Sequence, residues 1–180
     1  MSIRDDYRLH GSSLSNGGFW AVAVYRFGVW SDTQAAPLRS LLIFAYNRLS
    51  SLVSLFTGVH LDRRTRIGQG FHIIHTGAIR VHPDATIGDR VGIMHGTTLG
   101  MNIGREGAPQ IGNDVLISTG ATILGPVEIG NGAMIAANSL VVSNIPENTT
   151  AIGVPARIMP SSKGAPAREP HVAPQARPSS

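Results

Sequence analysis

The 180-residue chain contains no cysteine. Disulfides, thiolate metal sites and cysteine nucleophiles are therefore excluded. Charge and aromatic rings are also scarce, at 14% and 6% of residues. The net charge of +4 is diffuse, and Arg63, Arg64 and Arg66 form the only tight basic cluster in the central region. Phe71 is the only aromatic residue between Leu61 and Val141. A nucleic-acid partner needs a denser basic face with stacking aromatics, so none is expected; a basic rim instead suits a phosphorylated ligand or a membrane surface. Residues 1–16 are polar and lack the apolar core of a signal peptide.

What the chain has instead is a step of six. Aliphatic residues fall at Leu61, Ile67 and Ile73, at Val81, Ile87, Ile93 and Leu99, and at Ile111, Ile117, Ile123, Ile129, Ile135 and Val141. Glycine follows many of them, at Gly68, Gly88, Gly100, Gly112 and Gly130. Small or β-branched residues such as Thr65, Ala85, Val91, Val115, Ala121 and Val127 come four positions after most. Neither a helix nor a long alternating strand has a strict period of six. The pattern predicts hexads that each form a short strand and a corner, with the aliphatic side chain inward. Glycine is expected to let the backbone turn. Three hexads close a triangular turn, and the turns stack as a parallel β-solenoid.

Residues 1–57 read as a helical segment. From Asn16, a candidate N-cap, the chain becomes apolar and aromatic through Phe19, Trp20, Tyr25, Phe27 and Trp30. Pro37 starts a second expected helix over Leu38 to Phe56, in which Arg39, Asn47 and Arg48 interrupt the apolar residues. A spanning helix needs about 20 predominantly apolar residues, so a transmembrane span is not expected. Two readings stay open: the helices cover the solenoid end or each other, or they form an amphipathic surface touching a membrane. Residues 58–159 are assigned to the solenoid. The Pro-, Ala-, Ser- and Arg-rich stretch 160–180 is expected to be disordered, because it has too little apolar surface to offset its ordering entropy.

The step of six breaks twice. Two extra residues separate Ile73 from Val81, which predicts a bulged corner around His75 to Ile79. Between Leu99 and Ile111 the intervening aliphatic position is Arg105, so Met101 to Gln110 should form an external loop. His75 follows Ile73 by two and His95 follows Ile93 by two. Stacking of Ile73 on Ile93 then puts both imidazoles at one corner of neighbouring turns, with a backbone spacing of about 4.8 Å. His82, one past Val81, falls in the next corner.

The hexad pattern and the ending Gly153 to Ile158, GVPARI, resemble the hexapeptide-repeat acyltransferases, whose fold is a left-handed parallel β-helix. Within that family Gly58 to Met159 resembles serine O-acetyltransferases and their short relatives in polysaccharide biosynthesis. The resemblance implies a homotrimer using acetyl-CoA as co-substrate, with no metal expected. The lack of cysteine is compatible with a cytoplasmic enzyme, and the N-terminal helices with a peripheral one at the inner face of the membrane. The resemblance also implies that His75 is the general base on an acceptor hydroxyl, with His95 beside it, and imidazole titrates in the range that suits this task. The hydroxyl oxygen would attack the thioester while a backbone N–H stabilises the oxyanion. It further implies that Ser118, Ala136 and Ala137 meet the pantetheine arm and that Arg157 meets a CoA phosphate. His60 and His82 are candidates for acceptor binding.

Three positions depart from serine acetyltransferases. His60 stands where they have the aspartate that orients the base, Ile74 stands where they have an acidic residue, and the loop reads Gly107-Ala108-Pro109 without their second histidine. The expected acceptor is therefore a sugar hydroxyl of a surface polysaccharide precursor, with L-serine as the alternative. A non-catalytic solenoid subunit and a hexapeptide-repeat carbonic anhydrase ligating metal through His75, His82 and His95 are the competing readings.

Overall fold

A computed structural model describes residues 3–13 and 15–160. Three helices come first: α1 (Ile3–Leu9), α2 (Gly17–Ser31) and α3 (Leu38–Thr57). The expected start of α2 is observed, since the Asn16 side chain accepts hydrogen bonds from the N–H of Gly18 at 2.9 Å and of Phe19 at 3.4 Å. α3 ends at Gly58, whose φ of 67° is a left-handed cap. The short helix α1 falls in the polar stretch that carried no helical periodicity. The expected disordered tail falls on residues outside those described, apart from Pro160, which closes the last strand.

The chain then winds through about five coils. The first carries β1 (Val59–His60), β2 (Arg66–Ile67) and β3 (His72–Ile73); the second carries β4 (Ile79–Val81), β5 (Thr86–Ile87) and β6 (Gly92–Ile93). The third holds β7 (Thr98–Gly100), β8 (Gln110–Ile111) and β9 (Leu116–Ile117), and the fourth β10 (Thr122–Leu124), β11 (Glu128–Ile129) and β12 (Met134–Ile135). The fifth has β13 (Leu140–Val141), a bridge at Ile145 and β14 (Thr149–Ile152), against which β15 (Arg157–Pro160) folds back antiparallel. Corresponding strands pair in parallel to make three faces. The first face is β1-β4-β7-β10-β13, the second β2-β5-β8-β11, and the third β3-β6-β9-β12-β14-β15.

The hexad aliphatics fill the interior. Ile73, Ile93, Ile117 and Ile135 are fully buried behind the third face, as are Leu99 and Ile123 behind the first. Burial of each such side chain contributes about 1.5–3 kcal/mol. The coil continues past Val141, where the step of six ends, because Ile145 bridges Ile129 and Ala151 pairs with Ile135. The role of the repeating glycines also differs from expectation. Gly88 keeps an ordinary φ, but a Cβ there would lie 2.5 Å from Asn113 Oδ1 and 2.7 Å from the Gly112 carbonyl carbon. The glycine admits the next coil rather than permitting a turn.

The lower edge of the first coil has no coil beneath it, and the helices satisfy its backbone. The Tyr25 hydroxyl donates to the Thr65 carbonyl at 2.7 Å and accepts from the Ile67 N–H at 3.2 Å. Arg26 donates to the carbonyls of Ile67 and Gly68. The Tyr46 hydroxyl donates to Leu61 O and accepts from Arg63 N–H. His10, almost wholly buried, donates from Nδ1 to Asp6 O at 2.8 Å and accepts the Ile73 N–H at Nε2, 3.2 Å away.

Replacing Tyr25 by Phe strands two buried backbone groups, so stability should fall by about 1–3 kcal/mol in urea unfolding, with the fold retained. A second prediction concerns acid. Burial holds the His10 imidazole below its ordinary value of 6.5, so the unfolded chain binds this proton more readily. Stability from His10 is complete above pH 6.5 and declines as pH falls below it. Burial pushes the Asp6 carboxyl up from 3.8, an effect of opposite sign. His10→Gln keeps polar atoms but cannot titrate there; it should flatten the decline just below 6.5, read as melting temperature against pH.

Candidate functional site

The third face turns into the first at one edge of the prism, and this edge carries the paired histidines. Register places Ile73 directly against Ile93. Two residues beyond each, His75 and His95 project into solvent with ring centroids 6.0 Å apart and planes at 65°. Twenty residues of chain thus become one ring-to-ring contact. Neither ring makes a side-chain hydrogen bond or ion pair with a described residue.

The two extra residues before Val81 form the expected bulge. In the upper coils, Gly120 N–H donates to His95 O and Asn138 N–H to Thr119 O. In the bulged corner Gly96 N–H donates to Gly77 O instead. The inserted residues therefore lie between His75 and the ladder, which frees His75 from the regular corner geometry.

The same edge continues upward through Thr119 and Ala137. Each stands two positions after a buried isoleucine, as His75 and His95 do. The sequence carried that signal for Thr119, but its apolar step drew attention only to histidines. Thr119 Oγ1 lies 3.6 Å from Met94 Sδ. The backbone N–H groups of His95, Thr119 and Ala137 make no hydrogen bond with described residues. They form a column of unpaired donors in successive coils, whose backbones are spaced about 4.8 Å apart.

The other expected cofactor positions lie on the same face. Ser118 and Ala136 immediately follow β9 and β12, and their N–H groups are committed to Ile135 O and Ala151 O in the ladder. Their carbonyls accept the N–H groups of Ala121 and Ser139 in the corner turns. Arg157 lies on β15, exposed and opposite Ile152. The chain thus gathers His75, His95, Ser118, Ala136, Ala137 and Arg157 along one face and its edge.

His60 and His82 stand apart from that group. His60 sits on β1 at the outer side of the first face, with its Nδ1 2.7 Å from Ser54 Oγ of α3. It does not contact the His75 ring. His82 leaves β4 at the next corner, where Nδ1 accepts the Asp84 N–H at 3.2 Å. Within one chain the structure therefore brings neither residue to the paired histidines. The reason is topological: β1 and β4 belong to the first face, whereas β3 and β6 belong to the third. Among the described residues no group of three or more His, Asp or Glu side chains is placed to hold a metal. A surface hollow lies over the second face, between Gln110, Glu128 and Glu147, and contains none of these candidates.

Comparison with known proteins gives the geometry a context. Residues 108–143 match the family model described as bacterial transferase hexapeptide (six repeats). The chain is 40% identical over 145 residues to serine acetyltransferase of Escherichia coli (strain K12), covering 79% of this chain and 50% of that one. It is 36% identical over 134 residues to serine acetyltransferase of Bacillus licheniformis, covering 73% and 62%. The chain thus spans about half the length of the first of these curated relatives. Among solved structures, serine acetyltransferase from Brucella abortus strain S19 aligns with a TM-score of 0.72 at 30% identity, over 88% of this chain and 67% of that one. A serine acetyltransferase in complex with CoA aligns with a TM-score of 0.72 at 29% identity, over 88% and 70%. With a left-handed β-helix, a hexapeptide repeat and these relatives, the chain belongs to the hexapeptide-repeat acetyltransferases that resemble serine O-acetyltransferases.

Proposed function

We propose that this chain transfers an acetyl group from acetyl-CoA to a hydroxyl, with the His75–His95 edge as the reactive centre. The observation that carries the reading is the pair of exposed imidazoles meeting edge to face beside a column of free backbone donors. An unprotonated nitrogen of His75 takes the acceptor's hydroxyl proton. The oxygen attacks the thioester carbonyl, a backbone N–H holds the oxyanion, and the tetrahedral intermediate collapses. The carbon–sulfur bond breaks, and the CoA thiolate recovers the proton from the imidazolium. His95 lies against the His75 ring and orients it. A relative of this fold was solved with CoA. In this reading pantetheine runs up the edge past Ser118 and Ala136 to the free N–H of Ala137, and Arg157 meets a phosphate.

L-serine is the acceptor supported by the relatives, which are serine acetyltransferases. A second reading, transfer to a sugar hydroxyl of a polysaccharide precursor, is favoured by His60, which is held by Ser54 rather than facing the base. A homotrimer belongs to this proposal: a neighbouring subunit supplies the second wall that the edge lacks in one chain.

His75→Ala should lower acetyl transfer by roughly a hundred- to ten-thousand-fold, read as thiol release from acetyl-CoA, with an unchanged melting temperature because the ring is exposed. The assay is run with L-serine and with a panel of glycans. Turnover only on glycans selects the second reading, and wild-type turnover in the variant removes His75 from the mechanism. Ala137 is the second residue of the turn Ala136–Ser139, whose third residue, Asn138, has φ of 55°. Proline is favoured at that second position, so Ala137→Pro deletes the N–H while keeping the turn. Loss of one such hydrogen bond is worth about 0.5–1.5 kcal/mol, so CoA should bind roughly three- to tenfold more weakly by calorimetry. Stability should be unaffected.

A further inference from the structure

α3 turns an apolar face to solvent. Of its 20 residues only Tyr46 is buried. Leu41, Phe44, Leu52, Leu55 and Phe56 are 66%, 58%, 52%, 77% and 83% exposed. Their spacing of three and four puts them on one stripe of the helix. Arg48 lies on the same stripe, its guanidinium 5.1 Å from the Phe44 ring centroid, and it has no ion-pair partner among the described residues. The helix contains no Asp or Glu. The adjacent α2 exposes Trp20 and Trp30.

We propose that α3 docks on an anionic lipid surface, lying in its plane with the leucine and phenylalanine stripe in the acyl boundary. Charge complementarity selects this occupant. A two-fold contact with a second copy through this stripe would bury two Arg48 side chains with no carboxylate from either helix, which is costly. A lipid phosphate supplies the missing anion, and the long arginine stem reaches it while its methylenes stay in the apolar layer. Indole rings such as those of Trp20 and Trp30 are enriched at such boundaries. The helix lies on the surface rather than crossing it. By length and composition it is long and apolar enough to cross. However, Tyr46 is bonded to Leu61 and Arg63 of the first coil, and β1 begins directly after the Gly58 cap. Crossing would strip the solenoid edge of these bonds.

The test is co-sedimentation of the full chain with phosphatidylcholine vesicles, with and without phosphatidylglycerol. Wild type should pellet with the anionic vesicles and be released by high salt. Leu41→Glu combined with Leu55→Glu, at exposed positions, should weaken this binding at least roughly tenfold. Melting temperature and acetyl transfer to a soluble acceptor should stay unchanged, which separates this result from failure of the catalytic reading. Arg48→Gln should weaken binding to anionic vesicles more than to neutral ones. Wild type remaining in the supernatant with both vesicle types overturns the proposal, as does a double variant that binds like wild type. A double variant that splits a larger assembly in ultracentrifugation, with no vesicle binding by wild type, assigns the stripe to contact between copies and also overturns it.

Discussion

A parallel coil passes its backbone hydrogen bonds from one turn to the next, and at its first turn there is nothing below to receive them. In this chain the groups stranded at that edge are met by side chains: His10 at Ile73, Tyr25 and Arg26 around Ile67, and Tyr46 at Leu61 and Arg63. Buried N–H and C=O groups without partners are expensive, and open sheet edges invite pairing with other chains. The helical segment is therefore a lid chemically matched to the rim it covers. At the opposite end β15 folds back on β14 and closes the third face. Between these two ends every coil can repeat the same bonds, and the register that results is what aligns the two histidines on one edge.

That edge is a product of stacking rather than of local structure. His75 and His95 are unremarkable as residues in separate corners. They become a pair because Ile73 and Ile93 share a register position behind them. The insertion in the first corner then distinguishes His75 from every position above it, since Gly77 takes over the bond that His95 and Thr119 accept in their own coils. His10 links this edge to the lid, because the strand it caps is the one that leads into His75. Binding chemistry on such a scaffold sits on rigid corners, and changing the residues of one column changes the site without disturbing the core.

The two long helices divide the remaining tasks. α2 buries most of its length, from Gly18 to Tyr25 apart from Trp20, and leaves Trp20, Val29 and Trp30 exposed. α3 meets the body through Tyr46 and leaves its leucines outside. Both helices are apolar in composition, and what distinguishes them is the burial of one and the exposure of the other.

The step of six determined the solenoid, its inward residues, the bulge after Ile73 and the loop after Gly100, because one aliphatic side chain per strand is the minimum that a stacked triangle must bury. Counting along that step also paired His75 with His95. The same counting passed over Thr119, whose position matches theirs, and stopped short of Ile145 and Ala151, where the aliphatic signal weakens. Tertiary structure alone decided the rest. Gly88 is required by the approach of Gly112 and Asn113 from another coil, not by its own dihedral angle. His60 is drawn to Ser54 because β1 begins directly after α3, and His82 falls on a corner away from the paired histidines of the same chain. No periodicity encodes His10 finding Ile73, since the bond joins residues 63 positions apart. A repeat writes its own geometry into the sequence, whereas contacts between the repeat and the segment that caps it depend on how two surfaces meet.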